Sequence, residues 1–283
     1  MGLKIEKDSG IGFCFGVRRA IDIVEESARE HDAVETLGAI VHNRPVLQKL
    51  AGIGVRIARG LDDIKGNIVV TSAHGLSPEI EEELRARHID IISTTCPFVH
   101  RAQLAARRLA QSGFWIVIYG DANHPEVKGV LGWAEGRGIA TLDERFVSET
   151  KPLPCRLGVL SQTTQIPACF TGFVKKLVDL TFTRDSELHV IDTICHEIRG
   201  RQASALELAG RVDLMLVIGG HNSANTNRLA RLCSRVTKAY LVETADEIDP
   251  AWFKDCHHVG ITAGTSTAEE TINDVVVRLE SIA

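Results

Sequence analysis

Three cysteines stand in one local setting. Cys14 lies within Gly12-Phe-Cys-Phe-Gly-Val17, Cys96 opens Cys96-Pro-Phe-Val-His-Arg-Ala102, and Cys195 opens Cys195-His-Glu-Ile-Arg-Gly-Arg201. A helical alternation starts directly after each one. Val17, Ala20, Ile21 and Val24 share a face in the first, Val99, Ala102, Ala106 and Leu109 in the second, and Ile198, Ala205, Leu208 and Ala209 in the third. A thiol at a helix mouth meets unpaired N–H groups and the positive end of the helix dipole. Both favour the thiolate, which is a soft metal ligand. A cysteine beside one helix is most often a small packing residue; its recurrence is what suggests a ligand set.

The recurrence extends beyond the cysteines. The residues 28 positions after Cys14, Cys96 and Cys195 are His42, His124 and Ser223, and two positions further stand Arg44, Glu126 and Asn225. Each pair follows an apolar run that reads as a buried strand: Thr36 to Val41, Trp115 to Tyr119, Leu214 to Ile218. A second run in each repeat (Ile68 to Thr71, Leu157 to Leu160, His258 to Thr262) ends near His74, Thr163 and Ser266. Carboxyl ends of parallel strands are where open α/β sheets bind ligands. The chain therefore reads as three related α/β units, 14–95, 96–193 and 194–283, with residues 1–13 a candidate to pack on the third. Without low-complexity linkers between them, the units are expected to pack around a shared centre.

Three converging thiolates suit an iron–sulfur cube in which the fourth iron lacks a protein ligand and stays open to a substrate oxygen. Zinc is the alternative, either as a structural ion or as a Cys3His site completed by His42, His74 or His124. The surrounding His42, His74, Ser223, Asn225 and Ser266 can all donate hydrogen bonds. They suit a phosphate or diphosphate near helix N-termini. Glu126 is the one carboxylate among them and a natural proton source in a closed site. Thr163 would position it, or a leaving water, through its hydroxyl. No Gly-x-x-x-x-Gly-Lys-[Ser/Thr] loop is present, which argues against a nucleotide.

The elements must present these residues. Residues 3–7 read as a strand leading to Cys14, Ile89 to Ser93 as one delivering Cys96, and His189 to Asp192 as one delivering Cys195. Tyr240 to Glu243 completes the set. Helices are expected over Pro45 to Leu50, after Ser77-Pro78 and from Ala168 to Leu180, and a helix or turn near Val127. Ser266 and Thr267, each followed three residues later by Glu, predict a capping box for the last helix. A net charge of −5 over 283 residues gives no basic footprint for nucleic acid or membrane. No apolar run approaches the ~18 residues of a membrane helix, and the first residues do not resemble a signal peptide. Seven cysteines without a Cys-x-x-Cys pair fit metal or redox use in a cytoplasmic protein. Cys155, Cys169, Cys233 and Cys256 are expected in packing or surface roles.

The same residues fall in eight ordered motifs. They are Gly12-Phe-Cys-Phe-Gly-Val17, Ile40-Val-His-Asn43, Ser72-Ala-His-Gly75, Thr95-Cys-Pro97, His124-Pro-Glu-Val127, Gln162-Thr-Thr164, Asp192-Thr-Ile-Cys195 and Asn222-Ser-Ala-Asn-Thr-Asn-Arg-Leu229. Through them the chain resembles the 4-hydroxy-3-methylbut-2-enyl diphosphate reductases, the IspH/LytB family, over nearly its whole length. The resemblance implies a three-lobed α/β trefoil of pseudo-threefold units around a central [4Fe-4S] cluster. It implies cluster ligation by Cys14, Cys96 and Cys195 with one open iron. It also implies a diphosphate held by His42, His74, His124, Ser223, Ala224, Asn225 and Ser266, and a proton path through His124 and Thr163 to Glu126. The implied reaction is the reductive loss of an allylic hydroxyl, with a reduced ferredoxin or flavodoxin as electron donor. Ala224 departs from the family's usual serine, and Gly264-Thr-Ser-Thr-Ala-Glu-Glu270 replaces Gly-Ala-Ser-Ala-Pro, with Ser266 retained. A non-redox dehydratase and a metal- or redox-sensing binding module are the competing readings.

Overall fold

Short aliphatic runs bounded by glycine or polar turns build the strands, and amphipathic stretches between them build the helices. The computed structural model describes residues 3–31, 33–41, 43–143, 145, 153–182 and 185–282. In chain order the elements are β1 (Lys4–Lys7), α1 (Phe15–Glu30), β2 (Val34–Leu37), α2 (Arg44–Gly52), β3 (Val55–Ala58), β4 (Ile68–Val70), α3 (Pro78–Ala86), β5 (Asp90–Ile92), α4 (Pro97–Gln111), β6 (Trp115–Tyr119), α5 (Pro125–Gly132) and β7 (Gly138–Thr141). They continue with β8 (Arg156–Ser161), α6 (Pro167–Thr181), β9 (Glu187–Val190), α7 (His196–Ala209), β10 (Leu214–Ile218), α8 (Ala224–Cys233), β11 (Lys238–Val242), β12 (His258–Ala263) and α9 (Glu269–Glu280).

Among the described residues the strands form three four-stranded sheets, ordered β3-β2-β4-β5, β7-β6-β8-β9 and β11-β10-β12-β1. Every pairing is parallel. The three orders are one order. In each sheet the last place belongs to the strand that runs into a helix-mouth cysteine: β5 into Cys96, β9 into Cys195, β1 into Cys14. The amino-terminal strand thus completes the sheet of the last repeat, with Lys4 to Lys7 in register with His258 to Ile261.

The chain clusters into two compact units. One comprises Met1–Arg18, Val41–Ile53 and His196–Ala283, the other Arg19–Ile40 and Gly54–Cys195. In the first, β10 is apolar throughout because both its faces are covered. Leu214, Leu216 and Ile218 pack with Ile272, Val275 and Leu279 of α9, while Met215 and Val217 pack with Ala205 and Leu208 of α7 and Leu229 of α8. In the second, the alanine face of α4 (Ala102, Ala105, Ala106) packs with Ile116, Ile118 and Leu160. Gly158 permits that approach, since a Cβ there would lie 2.9 Å from Leu109 Cδ1. Each wholly buried aliphatic side chain contributes about 1.5–3 kcal/mol.

Several expectations shift. The strand expected over Thr36 to Val41 is β2 and ends at Leu37, because Gly38 turns the chain at a φ of +76°. The capping box at Ser266 and Thr267 does not form. Ala268 is the N-cap of α9 without a side-chain bond, and the buried Thr267 hydroxyl instead donates to the Ile218 carbonyl at 3.0 Å. Ser77 is the N-cap of α3, but its hydroxyl does not cap. The edge strands β3 and β7 were not anticipated. Each is four residues long and at least half accessible, so neither carries an apolar run.

Candidate functional site

The helices α1, α4 and α7 each begin at the residue after a cysteine. In all three cases the cysteine amide is bonded to a loop that follows the third-placed strand of a sheet. Cys14 N–H donates to Thr265 O at 3.1 Å, Cys96 N–H to Ala73 O at 3.0 Å and Cys195 N–H to Thr163 O at 2.9 Å. The Cys14 sulfur accepts the Val17 amide at 3.5 Å, as expected of a cysteine at a helix mouth. Two residues before Cys96 and Cys195 stand threonines that sequence reasoning missed. Thr94 is wholly buried and exchanges bonds with Thr71, its amide donating to Thr71 Oγ1 at 3.1 Å and its hydroxyl to Thr71 O. Thr193, equally buried, accepts the Ser161 amide at 2.9 Å and donates to the Ser161 carbonyl. The signal was a Thr at the same offset in both cysteine motifs.

The donor set fits a soft metal group. All seven cysteines are unbridged, and the three at helix mouths share one backbone environment. The other four lack it. Burial pushes the Cys233 thiol up to about 12, with the nearby Asp8 charge adding to the effect. Burial raises Cys256 as well. Both therefore remain protonated at neutral pH and are poor ligands. Cys155 is exposed and Cys169 half-buried.

In the unit that contains β4, β6 and β8, five of the candidate residues come together through direct contacts. His124 is the N-cap of α5, and its Nδ1 accepts the Glu126 amide at 3.2 Å. A neutral ring so engaged carries its proton on Nε2, which makes that nitrogen a donor. The His74 ring meets the His124 ring edge-on, with centroids 5.2 Å apart. His74 Nδ1 lies 3.2 Å from Ser72 Oγ. Glu126, 2 % exposed, is bound twice by Thr163: the amide donates to Oε1 at 2.6 Å and the hydroxyl to Oε2 at 2.8 Å. Together with the N-terminus of α5, these bonds offset the cost of burying a carboxylate. The same Thr163 carries the Cys195 amide on its carbonyl. One residue thus joins the candidate proton donor to a candidate ligand.

The loop 72–76 is braced from two sides, since the Leu76 carbonyl accepts Gln103 Nε2 at 3.1 Å and Trp133 Nε1 at 2.9 Å. Gly75 adopts a φ of +74°, and a Cβ there would come within 2.4 Å of Gln103 Nε2. The position therefore needs glycine.

The other unit repeats this arrangement with different side chains. Ser223 is the N-cap of α8, its hydroxyl accepting the Thr226 amide at 3.3 Å. Ala224 opens the helix, and Asn225 Nδ2 donates to Thr265 Oγ1 at 3.4 Å. Thr265 carries the Cys14 amide and precedes the buried Ser266. Asn225 stands to Thr265 and Cys14 as Glu126 stands to Thr163 and Cys195. That equivalence matches their common offset of 30 residues from Cys195 and Cys96. His42 lies outside the described residues. Its neighbour Asn43 caps α2, accepting the Val46 amide at 3.0 Å.

Comparison with known proteins adds an independent line. The model of the LytB protein family matches residues 5–280. A 4-hydroxy-3-methylbut-2-enyl diphosphate reductase of Dehalococcoides mccartyi (strain CBDB1) is 54% identical over 281 residues, covering 99% of each chain. The enzyme of that name from Geobacter sulfurreducens is 40% identical over 271 residues, 95% of this chain and 94% of its own. Among solved structures, the E-1-hydroxy-2-methyl-but-2-enyl-4-diphosphate reductase of Plasmodium falciparum superposes with a TM-score of 0.92 at 27% identity, over 98% of this chain and 88% of that one. A structure described as (E)-4-hydroxy-3-methyl-but-2-enyl diphosphate reductase, the terminal enzyme of the non-mevalonate pathway, gives 0.71 at 37% identity over 99% of both.

Proposed function

Because the chain belongs to the LytB protein family, matched from residue 5 to residue 280, we propose that it works as a 4-hydroxy-3-methylbut-2-enyl diphosphate reductase. The reaction removes the allylic hydroxyl of the substrate with two electrons and two protons. It yields isopentenyl or dimethylallyl diphosphate and water, in the last step of the non-mevalonate isoprenoid pathway. The observation that carries the residue assignment is Thr163, which binds the Glu126 carboxylate twice and the Cys195 amide once.

Cys14, Cys96 and Cys195 would hold a [4Fe-4S] cluster and leave one iron without a protein ligand. When bound, the cluster supplies the electrons and a Lewis-acid position. Glu126 is the proton donor. When it is protonated, the hydrogen bond to Thr163 reverses: Oε2–H donates to Thr163 Oγ1, whose own proton then points to the departing oxygen. Hydroxide is a poor leaving group, and this proton lets it leave as water. His124 Nε2–H, His74, His42, Asn225, Ser223 and Ser266 offer hydrogen bonds to the diphosphate, and the α8 N-terminus favours its charge. Ala224 offers it no hydroxyl.

Reduced ferredoxin or flavodoxin is the proposed electron donor, and the cytoplasm the proposed compartment. Among the described residues no helix is long and apolar enough to cross a membrane. The identical strand orders of the three sheets support division into repeats 14–95, 96–193 and 194–283, with residues 1–13 joining the third. An anaerobic assay of the reconstituted protein with a low-potential reductant tests the reading. Consumption of the alcohol should require reductant and release both isomeric products. Loss of water from the substrate without reductant would instead identify a dehydratase, and a protein that takes up no cluster would end the reading.

A further inference from the structure

The Cys14 loop is gripped on both sides by one helix. Ahead of Cys14, the Gly12 carbonyl accepts Arg201 Nη1 at 2.7 Å. Behind it, the Phe15 amide donates to Glu197 Oε2 at 3.1 Å. Glu197 and Arg201 are four residues apart on α7 and so share a face. Gly10 completes the seat: a Cβ there would lie 3.3 Å from Arg201 Cγ. Both hydrogen bonds span more than 180 residues of sequence and end within two residues of Cys14. The Glu197 bond also satisfies the first free amide of α1, placing a carboxylate at the positive end of the helix that Cys14 opens.

We propose that Glu197 and Arg201 are positioning residues for Cys14 and that their opposite charges set the reduction potential of the cluster held there, an inference that rests on the cluster-binding reading above. Reduction adds negative charge to a cluster. A nearby carboxylate therefore opposes it, a nearby guanidinium favours it, and local charge and hydrogen bonding are the protein's means of tuning such centres. The two Thr clasps before Cys96 and Cys195 are uncharged. Charged groups also touch the backbone ahead of the other two cysteines, Arg19 Nη1 at Thr95 O (3.4 Å), Arg101 Nη2 at Asp192 O (3.3 Å) and Asp192 Oδ1 at the Ile194 amide (3.1 Å), but at Cys14 an acid and a base from one helix face bond the chain on both sides of the cysteine.

The test is an anaerobic spectroelectrochemical titration of the cluster-loaded protein, with iron content and circular dichroism measured alongside. Glu197→Gln keeps an acceptor for the Phe15 amide and removes the charge, so the midpoint potential should move positive at wild-type iron content. Arg201→Gln keeps a shorter donor and removes the opposite charge, so the potential should move negative. A clamp with only a structural role predicts iron loss without shifts of opposite sign. Unmoved potentials, or shifts of the same sign in both variants, overturn the tuning role. If Glu197→Gln fails to load the cluster, Arg201→Gln decides alone and must shift negative. Cluster loss from both with an intact fold overturns the role as well. A wild-type protein that binds no cluster would refute the functional reading itself.

Discussion

Thr163 makes three bonds with three different atoms, and its two side-chain and main-chain functions can be separated. Thr163→Val preserves shape, the amide bond to Glu126 Oε1 and the carbonyl bond to Cys195, and deletes only the hydroxyl on Oε2. Losing a hydrogen bond to a charged group costs about 1.5–3 kcal/mol. If the hydroxyl relays the proton, that cost falls on turnover, and kcat should drop roughly 10- to 100-fold with KM little changed. Glu126→Gln is more severe, because the amide keeps a partner for Thr163 but has no proton to give. It should load its cluster, bind substrate and lose ~10²–10⁴-fold in rate. Near-normal turnover would move the proton source elsewhere. Replacing Cys14, Cys96 or Cys195 by Ser should abolish the cluster chromophore, whereas Ser at Cys155, Cys169, Cys233 or Cys256 should leave it; full iron in Cys195→Ser would refute the ligand set.

At the scale of elements, β2, β3 and the loop before β4 meet at a single buried carboxylate. Glu35 accepts the Lys65 amide at 2.8 Å, the Gly66 amide at 2.9 Å and Arg56 Nε at 2.5 Å. Burial pushes its pKa upward, but the Gly66 and Lys65 amides and the Arg56 guanidinium outweigh that effect and hold it below its usual 4.5. A carboxylate whose pKa is depressed by folding stabilises the protein above its unfolded-state pKa. That stabilisation disappears as pH falls through the lower folded-state pKa. Glu35→Gln should thus lose about 1–2 kcal/mol at pH 7. The gap to wild type should narrow below pH ~4. Urea unfolding at the two pH values measures this, and a gap independent of pH would contradict it. The Gly75 turn is a second element-scale hinge. Gly75→Ala combines a left-handed backbone with a collision against Gln103, so loosened substrate binding and lower stability are expected together.

At the scale of the molecule, the third sheet is closed by the first strand of the chain. β1 covers the edge of β12, and Asp8 at its end accepts Thr262 Oγ1 at 2.7 Å, the Gly10 amide at 3.2 Å and the Ser204 hydroxyl. Like the equivalent strands β5 and β9, β1 leads directly to a helix-mouth cysteine, here Cys14. A chain truncated to start at Ser9 should keep the helical signal of the remaining repeats but lose iron and become prone to associate through the bared β12 edge. Iron content and light scattering read this out, and a truncated protein with full iron would show that β1 is dispensable to the site.

The residue types, their equal offsets and the amphipathic helices were legible in the chain itself, because repetition and periodicity are local properties that survive in one dimension. Cys14, Cys96 and Cys195, the residues 28 and 30 positions after each, and the central strands could all be found by counting. The edge strands β3 and β7 could not, since half-exposed four-residue strands have no apolar run to mark them. Nor could the α9 cap: Ser266 and Thr267 satisfy the local pattern, yet burial beside β10 gives the Thr267 hydroxyl a better acceptor in Ile218. The bonds that most constrain the site were decided by tertiary structure alone. Thr163 to Glu126 spans 37 residues and Glu197 to Phe15 spans 182. Whether two such groups meet depends on which loops the parallel sheets bring side by side, and no local preference encodes that.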